Sequence, residues 1–118
     1  MSSKITSDTF IKFLNKENGK YVSLRNFEYK LGENIDSRKF NPFGSCEGGG
    51  LYYTKVENSH KYLKYGDHIA IIEIPRDAKT YVDPCGTKFK ADKIIIKNFM
   101  PISEFIESQY HNISWSIE

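Results

Sequence analysis

Glycines and aromatic residues able to hold an anion or a planar ligand are concentrated in one stretch. Gly48, Gly49 and Gly50 are followed by Tyr52, Tyr53, Tyr62 and Tyr65, with His60 among them. Successive glycine amides can approach an anion closely and cradle a phosphate. The tyrosine rings and His60 could stack a planar ligand such as a nucleobase or a nicotinamide ring. Both features also have an architectural reading. A glycine run supplies positive φ, or lets the backbone pass close beneath another element. Tyrosines at these spacings line a core while their hydroxyls reach the surface. A dinucleotide or Walker-type loop is excluded by order: it needs a strand, then glycines, then a helix, and these glycines precede a β-prone run. A turn is therefore preferred to a phosphate site, and Gly48, Gly49, Gly50, Tyr52, His60 and Tyr65 stand as the candidate ligand-binding residues.

Other reactive types are dispersed. Glu73 lies mid-strand in an apolar run, where it either faces inward with a raised pKa or, by period two, faces solvent. No nucleophile has an adjacent base and an orienting group, so no catalytic residue is assigned. His60, His68 and His111 share no ligand spacing with each other or with Cys46 and Cys85, so no metal is expected. The two cysteines read as free thiols of a reducing compartment. Asn112-Ile113-Ser114 fits a glycosylation pattern that matters only after export.

Charge narrows the partners. Seventeen basic residues against 15 acidic ones leave a net charge of +2. Lysine outnumbers arginine, the residue favoured for bidentate phosphate or guanine contacts, so a nucleic-acid partner is not expected. No stretch reaches the roughly 20 apolar residues of a membrane helix, and Met1-Ser2-Ser3-Lys4-Ile5 lacks the apolar run of a signal peptide. A cytoplasmic protein is expected, with no cofactor and with a protein partner or a second copy of itself. A length of 118 residues suits one domain, 1–118, with one core.

These residues must be positioned by the following elements. Thr6, Ser7 and Asp8 offer N-cap oxygens ahead of Phe10, Ile11, Phe13 and Leu14, which fall on one helical face, and Gly19 supplies a stop, so a helix is predicted over 7–16. Alternation predicts strands over 21–24 and 27–31, the second ended by Gly32-Glu33-Asn34. Residues 36–50 show no period and read as a long loop. A short strand over 51–54 leads into a helix over 56–65 stopped by Gly66. The most apolar strand, 68–74, should be central, with 81–83 an edge strand and 89–97 a second buried strand around Ile94-Ile95-Ile96. Pro101 opens a last helix to about Gln109, and the period-two tail 113–117 reads as an edge strand or a partner-binding arm carrying Trp115. The predicted class is α+β: a small mixed, mainly antiparallel sheet with about three helices.

Asn26-Phe27-Glu28-Tyr29-Lys30-Leu31-Gly32, then Phe40-Asn41-Pro42-Phe43-Gly44-Ser45-Cys46, then Gly49-Gly50-Leu51-Tyr52-Tyr53-Thr54 resemble the N-terminal domain of giant-virus, mimivirus-like ankyrin-repeat proteins. The order continues through Tyr65-Gly66, Ile74-Pro75-Arg76-Asp77-Ala78 and Lys90-Ala91-Asp92-Lys93-Ile94-Ile95-Ile96, covering about 27–96. The resemblance implies a viral protein of the infected host cell or virion and an accessory or interaction unit, here with no ankyrin repeat following. More distantly, the chain is similar to the ADP-ribosyltransferase core, in which a glycine-rich turn enters a strand, a short helix carries Ser and Tyr, and a later strand begins with the catalytic acid. Residues 48–54, 59–65 and 92–96 have that order. The likeness implies NAD as ligand, Tyr62 or Tyr65 beside nicotinamide, and Asp92 at the family's glutamate position. The family's first-strand His or Arg followed by Gly is absent, since Phe27-Glu28-Tyr29-Lys30 occupies that stretch, and aspartate is one methylene shorter than glutamate.

Overall fold

The computed structural model of the chain describes residues 5–23, 26–43 and 48–117, with side chains as far as 109. Nine strands carry the fold: β1 (Phe10–Glu17), β2 (Lys20–Val22), β3 (Glu28–Tyr29), β4 (Gly32–Ile35), β5 (Leu51–Lys55), β6 (His68–Glu73), β7 (Thr80–Val82), β8 (Phe89–Ala91) and β9 (Lys93–Pro101). Two 3-10 helices, Val56–Lys61 and Leu63–Tyr65, and one α-helix, α1 (Ile102–Ile117), complete the described residues. The strands form one sheet in the order β4-β9-β6-β1-β5-β8-β7, with β2 and β3 added at the far end of β1. Every pairing is antiparallel. The molecule is mainly β, which corrects the expectation of an α+β fold with three helices and a mixed sheet.

The largest correction is at 7–16, which forms β1 and not a helix. Ile11 packs with Val56, Ile69, Ile71 and Phe105 on one face of the sheet, while Leu14 belongs to a second cluster with Tyr29, Leu51, Tyr53, Ala70, Ile72, Ala91, Ile94 and Ile96. A strand buried on both faces loses its period of two, and its apolar residues at 10, 11, 13 and 14 then imitate a helical stripe. Gly19 is not a helix stop either. Asn18 and Gly19 both hold positive φ, 52° and 78°, between the paired residues Glu17 and Lys20, as a two-residue hairpin turn requires.

Four boundaries also move. Gly32-Glu33-Asn34 does not end a strand but belongs to β4, where the Asn34 amide accepts from Lys30 N and donates to the carbonyls of Lys30 and Gly32. Residues 56–65 wind as tight 3-10 turns rather than an α-helix. The strand expected over 89–97 is two strands with a corner at Asp92, whose N–H donates to Lys79 O and whose carbonyl accepts from Asp36 N. The tail 113–117 lies within α1 instead of forming an edge strand. The readings of 68–74 as central and of 81–83 as an edge survive: β6 sits between β9 and β1, and β7 ends the sheet.

Helix α1 covers one face of the central strands through Phe105, which is 1% exposed, and is anchored by Ile102 N donating to Asp67 O. Removing that ring should open a cavity beneath the helix. Phe105→Ala is expected to lower stability by about 3–5 kcal/mol, measured by urea denaturation followed by circular dichroism.

Candidate functional site

One edge of β1 serves two neighbours. Phe10 and Ile11 pair with Lys55 and Thr54 of β5, and Asn15 to Glu17 pair with β2. Between those ladders, over Lys12 to Leu14, no described strand pairs on that side, and β5 and the β2–β3 ribbon splay apart. The wedge is a cleft of about 300 Å³, lined by Lys12 and Phe13 from β1, Phe27 and Tyr29 from the ribbon, Leu51 to Thr54 of β5, Tyr62 and Tyr65 of the 3-10 turns, and Arg38, Gly48, Gly50 and Lys88 from loops. The size is at the lower end for small-ligand pockets.

Lys12 forms the floor. It is 8% exposed, donates from Nζ to the Tyr52 carbonyl at 2.5 Å, and lies 5.0 Å from the centroid of the Tyr29 ring. Burial in this apolar setting pushes its pKa from the ordinary 10.5 down to about 7. Burial likewise raises the Tyr29 phenol, with Asp36 adding to the rise and Arg38 opposing it. Tyr53 points into the core against Phe10 and Phe89, and burial pushes its phenol up to about 12.

Behind the glycines lies a buried carboxylate. The Asp36 side chain is 1% exposed and accepts from Gly50 N at 2.8 Å, from Arg38 N at 2.9 Å and from the Arg38 guanidinium at 2.8 to 3.2 Å. Burial alone would raise this carboxyl, but the hydrogen bonds from Arg38 and Gly50 outweigh it and hold the pKa below the ordinary value. The stem of Lys90 runs beneath Gly50: a Cβ added there would meet Lys90 Cγ at 2.3 Å, and Gly50 has φ of 140°. Gly49, at φ of 86°, presses against Lys39 O in the same way. Close approach and positive φ thus account for these two glycines, and the Gly50 amide is spent on Asp36. Lys90, fully buried, donates to Phe43 O and sits among the rings of Phe40, Tyr52 and Tyr81 at 5.4 to 5.7 Å.

The candidate residues divide. Gly48, Gly50, Tyr52 and Tyr65 line the cleft. His60 is exposed on the first 3-10 turn and does not line it. Asp92 also lies outside the lining, its carboxylate accepting from Lys79 N at 2.8 Å. The arrangement that the ADP-ribosyltransferase likeness implies, with Tyr52, His60, Tyr65 and Asp92 around one cleft, is therefore not assembled. Glu73 is exposed and accepts from Lys97. Among the described residues no three His, Cys, Asp or Glu side chains gather as metal ligands. Cys85 is an exposed free thiol, and Cys46 and Gly44 lie outside the described residues. The sequence reading missed Lys12, Asp36, Arg38 and Lys90. For the two lysines the signal was a charge where a buried strand should carry none, Lys12 inside the run 10–14 and Lys90 between Phe89 and Ala91; Asp36 and Arg38 had no such signal.

The chain is thus a mainly β module with an aromatic, cation-bearing cleft, and it resembles regions of giant-virus ankyrin-repeat proteins. It is 31% identical over 98 residues to "Putative ankyrin repeat protein R868" of Acanthamoeba polyphaga mimivirus, covering 79% of this chain and 47% of the relative. It is 30% identical over 89 residues to "Putative ankyrin repeat protein R229", covering 70% and 29%, and 40% identical over 83 residues to "Putative ankyrin repeat protein L100", covering 64% and 14%, both of the same virus. The chain spans less than half the length of each of these relatives. No protein-family model and no solved structure matches it. No helix among the described residues is long and apolar enough to cross a membrane.

Two outcomes follow from the site. Gly50→Ala forces a methyl into the Lys90 stem at a φ suited to glycine, and should cost roughly 2–5 kcal/mol of stability, read by denaturant melts. For Lys12, the folded chain releases the proton near pH 7 while the unfolded chain keeps it to about 10.5. Between those values the unfolded state binds more protons, so stability rises with pH, by up to about 1.4 kcal/mol per unit. Above about pH 10 it falls again, because unfolded tyrosines ionise while buried Tyr29 and Tyr53 hold their protons. Lys12→Met should flatten the rise and gain stability below pH 7, checked by denaturation at a series of pH values.

Proposed function

We propose that this chain is a non-catalytic recognition module that captures a segment of a partner protein in the cleft beside β1. The observation that supports it is the cleft itself: among the described residues that line it, the walls are aromatic, the charged groups are cationic, and none is His, Cys, Asp or Glu. Aromatic side chains and arginine on a concave surface are the groups that dominate protein recognition energetics. Acid–base machinery, by contrast, needs a nucleophile within reach of a base. The relatives' names describe ankyrin-repeat proteins, and repeat stacks present extended binding surfaces, so a second binding unit in the same polypeptide would add avidity. The setting expected for the module is the cytoplasm of an infected cell or the virion.

The test is selection of peptides from a displayed library on the full chain, followed by titration of wild type and of Tyr65→Ala. Binding should weaken by about 2 kcal/mol or more on loss of that ring, with amide shifts centred on Lys12 to Leu14. Peptides indifferent to Tyr65 would move recognition elsewhere. A thermal shift of several degrees with NAD or ADP-ribose, abolished by Tyr65→Ala, would replace this proposal with nucleotide binding.

A further inference from the structure

The cleft floor carries a charge that folding alone does not favour. A lysine ammonium has three N–H donors. Lys12 gives one to the Tyr52 carbonyl and rests over Tyr29, and among the described residues no ion pair reaches it. The Asp36 carboxylate is already occupied by Arg38 and Gly50. An amine sequestered among apolar groups with donors to spare destabilises the empty protein. It gains a partner when an anion enters.

We propose that the cleft receives a carboxylate borne on an apolar or aromatic body, its charge seated on Lys12 Nζ and its body lying against Tyr52 and Tyr65. The two spare N–H groups of Lys12 match the two oxygens of one carboxylate. A phosphate dianion would need several more donors, and the Gly50 amide is not open to it because Asp36 holds it. About 300 Å³ accommodates one aromatic side chain with its acid. The inference rests on the cleft's being the recognition site, and it names what the captured segment presents: a terminal or side-chain carboxylate next to an apolar group. A free aromatic acid shares that chemistry.

Among the described residues, the other charged groups at the cleft are Lys88 and Arg38, the latter held by Asp36. The described phenols at the cleft are Tyr29 from β3, Tyr52 from β5, and Tyr62 and Tyr65 from the 3-10 segment, while the Tyr53 ring turns into the core. With Lys12 titrating near 7, a carboxylate should bind well at about pH 6 and lose its advantage by about pH 9.

The experiment is a ¹H–¹⁵N correlation titration of the full chain with three probes: phenylacetate, a pentapeptide ending in a phenylalanine carboxylate, and the same pentapeptide as its C-terminal amide. At about pH 6 both acids should shift cleft amides, and the free-acid peptide should bind about tenfold tighter than the amide, as one charge-assisted hydrogen bond supplies. That preference should vanish in Lys12→Met and, independently of any variant, in wild type at about pH 9. Tighter binding of the peptide acid than of phenylacetate would identify a chain-borne carboxylate, and equal binding a free acid; both support the site. If amide and acid bind the cleft equally, the carboxylate proposal is overturned while the cleft remains a recognition site. If no probe shifts the cleft amides, the recognition reading falls and takes the proposal with it. Well-dispersed spectra of Lys12→Met establish that the variant is folded.

Discussion

The Asp36 carboxylate is the constraint on which the rest of this structure leans. A nearly inaccessible anion must be compensated fully or not exist, and here the compensation comes from both ends of one loop: Arg38 just after β4 and the Gly50 amide just before β5. Its own backbone N–H bonds to Asp92, the corner between β8 and β9. One residue thereby joins three places distant in sequence: the end of β4, the start of β5 and the β8–β9 corner. The loop it closes has only Asn41 N to Gly49 O as a further described backbone bond within it. The carboxylate and the Lys90 ammonium, which donates to Phe43 O, together hold the glycines over the Lys90 stem.

The cleft is a by-product of the same arrangement. Strand β5 is held against β8 by its register, Leu51 with Ala91 and Tyr53 with Phe89, while the Asn18-Gly19 hairpin turns β2 back onto the other half of β1. The two lobes diverge because each is committed to other neighbours. Lys12 spans the divergence by reaching the Tyr52 carbonyl, a polar tie in a place where a ladder bond would otherwise run. Rings of Phe13, Tyr62 and Tyr65 then meet across the opening at 5.8 to 6.5 Å, and the Tyr62 hydroxyl is pinned to Thr87 at 2.7 Å.

Much of the sheet was legible in the sequence wherever punctuation and composition agreed. Strand β6 announces itself by four consecutive buried apolar residues ended by Pro75, and β7 by its isolation between turns. Strand β1 was illegible because burial on both faces erases the alternation that marks a strand, and its Asn-Gly turn was read as a helix terminator although it is a strong hairpin signal. That single misreading hid the site as well. On a helix Lys12 would face solvent; on a central strand it cannot. Residues 36–50 have no period at all, so the pairing of Asp36 with Arg38 and Gly50 could come only from three dimensions. Tyr52 and Tyr65 were found because aromatic residues beside glycines draw notice on chemistry alone. His60 and Asp92 were singled out by order along the chain, and order does not establish convergence.

The position of β1 in both chain and sheet has a consequence for biogenesis. It is the first strand among the described residues, yet its partners lie as far away as residues 51–55 and 68–73. Only the short β2 hairpin can form on it locally. During synthesis, the run Phe10 to Leu14 must therefore wait, apolar on both sides, until the residues of β6 have left the ribosome. Such non-local closure is slow and leaves an adhesive segment exposed meanwhile. Lys12 interrupts that segment with a charge while the chain is unfolded, so the residue that is costly in the finished core also acts as a gatekeeper against aggregation before the core exists.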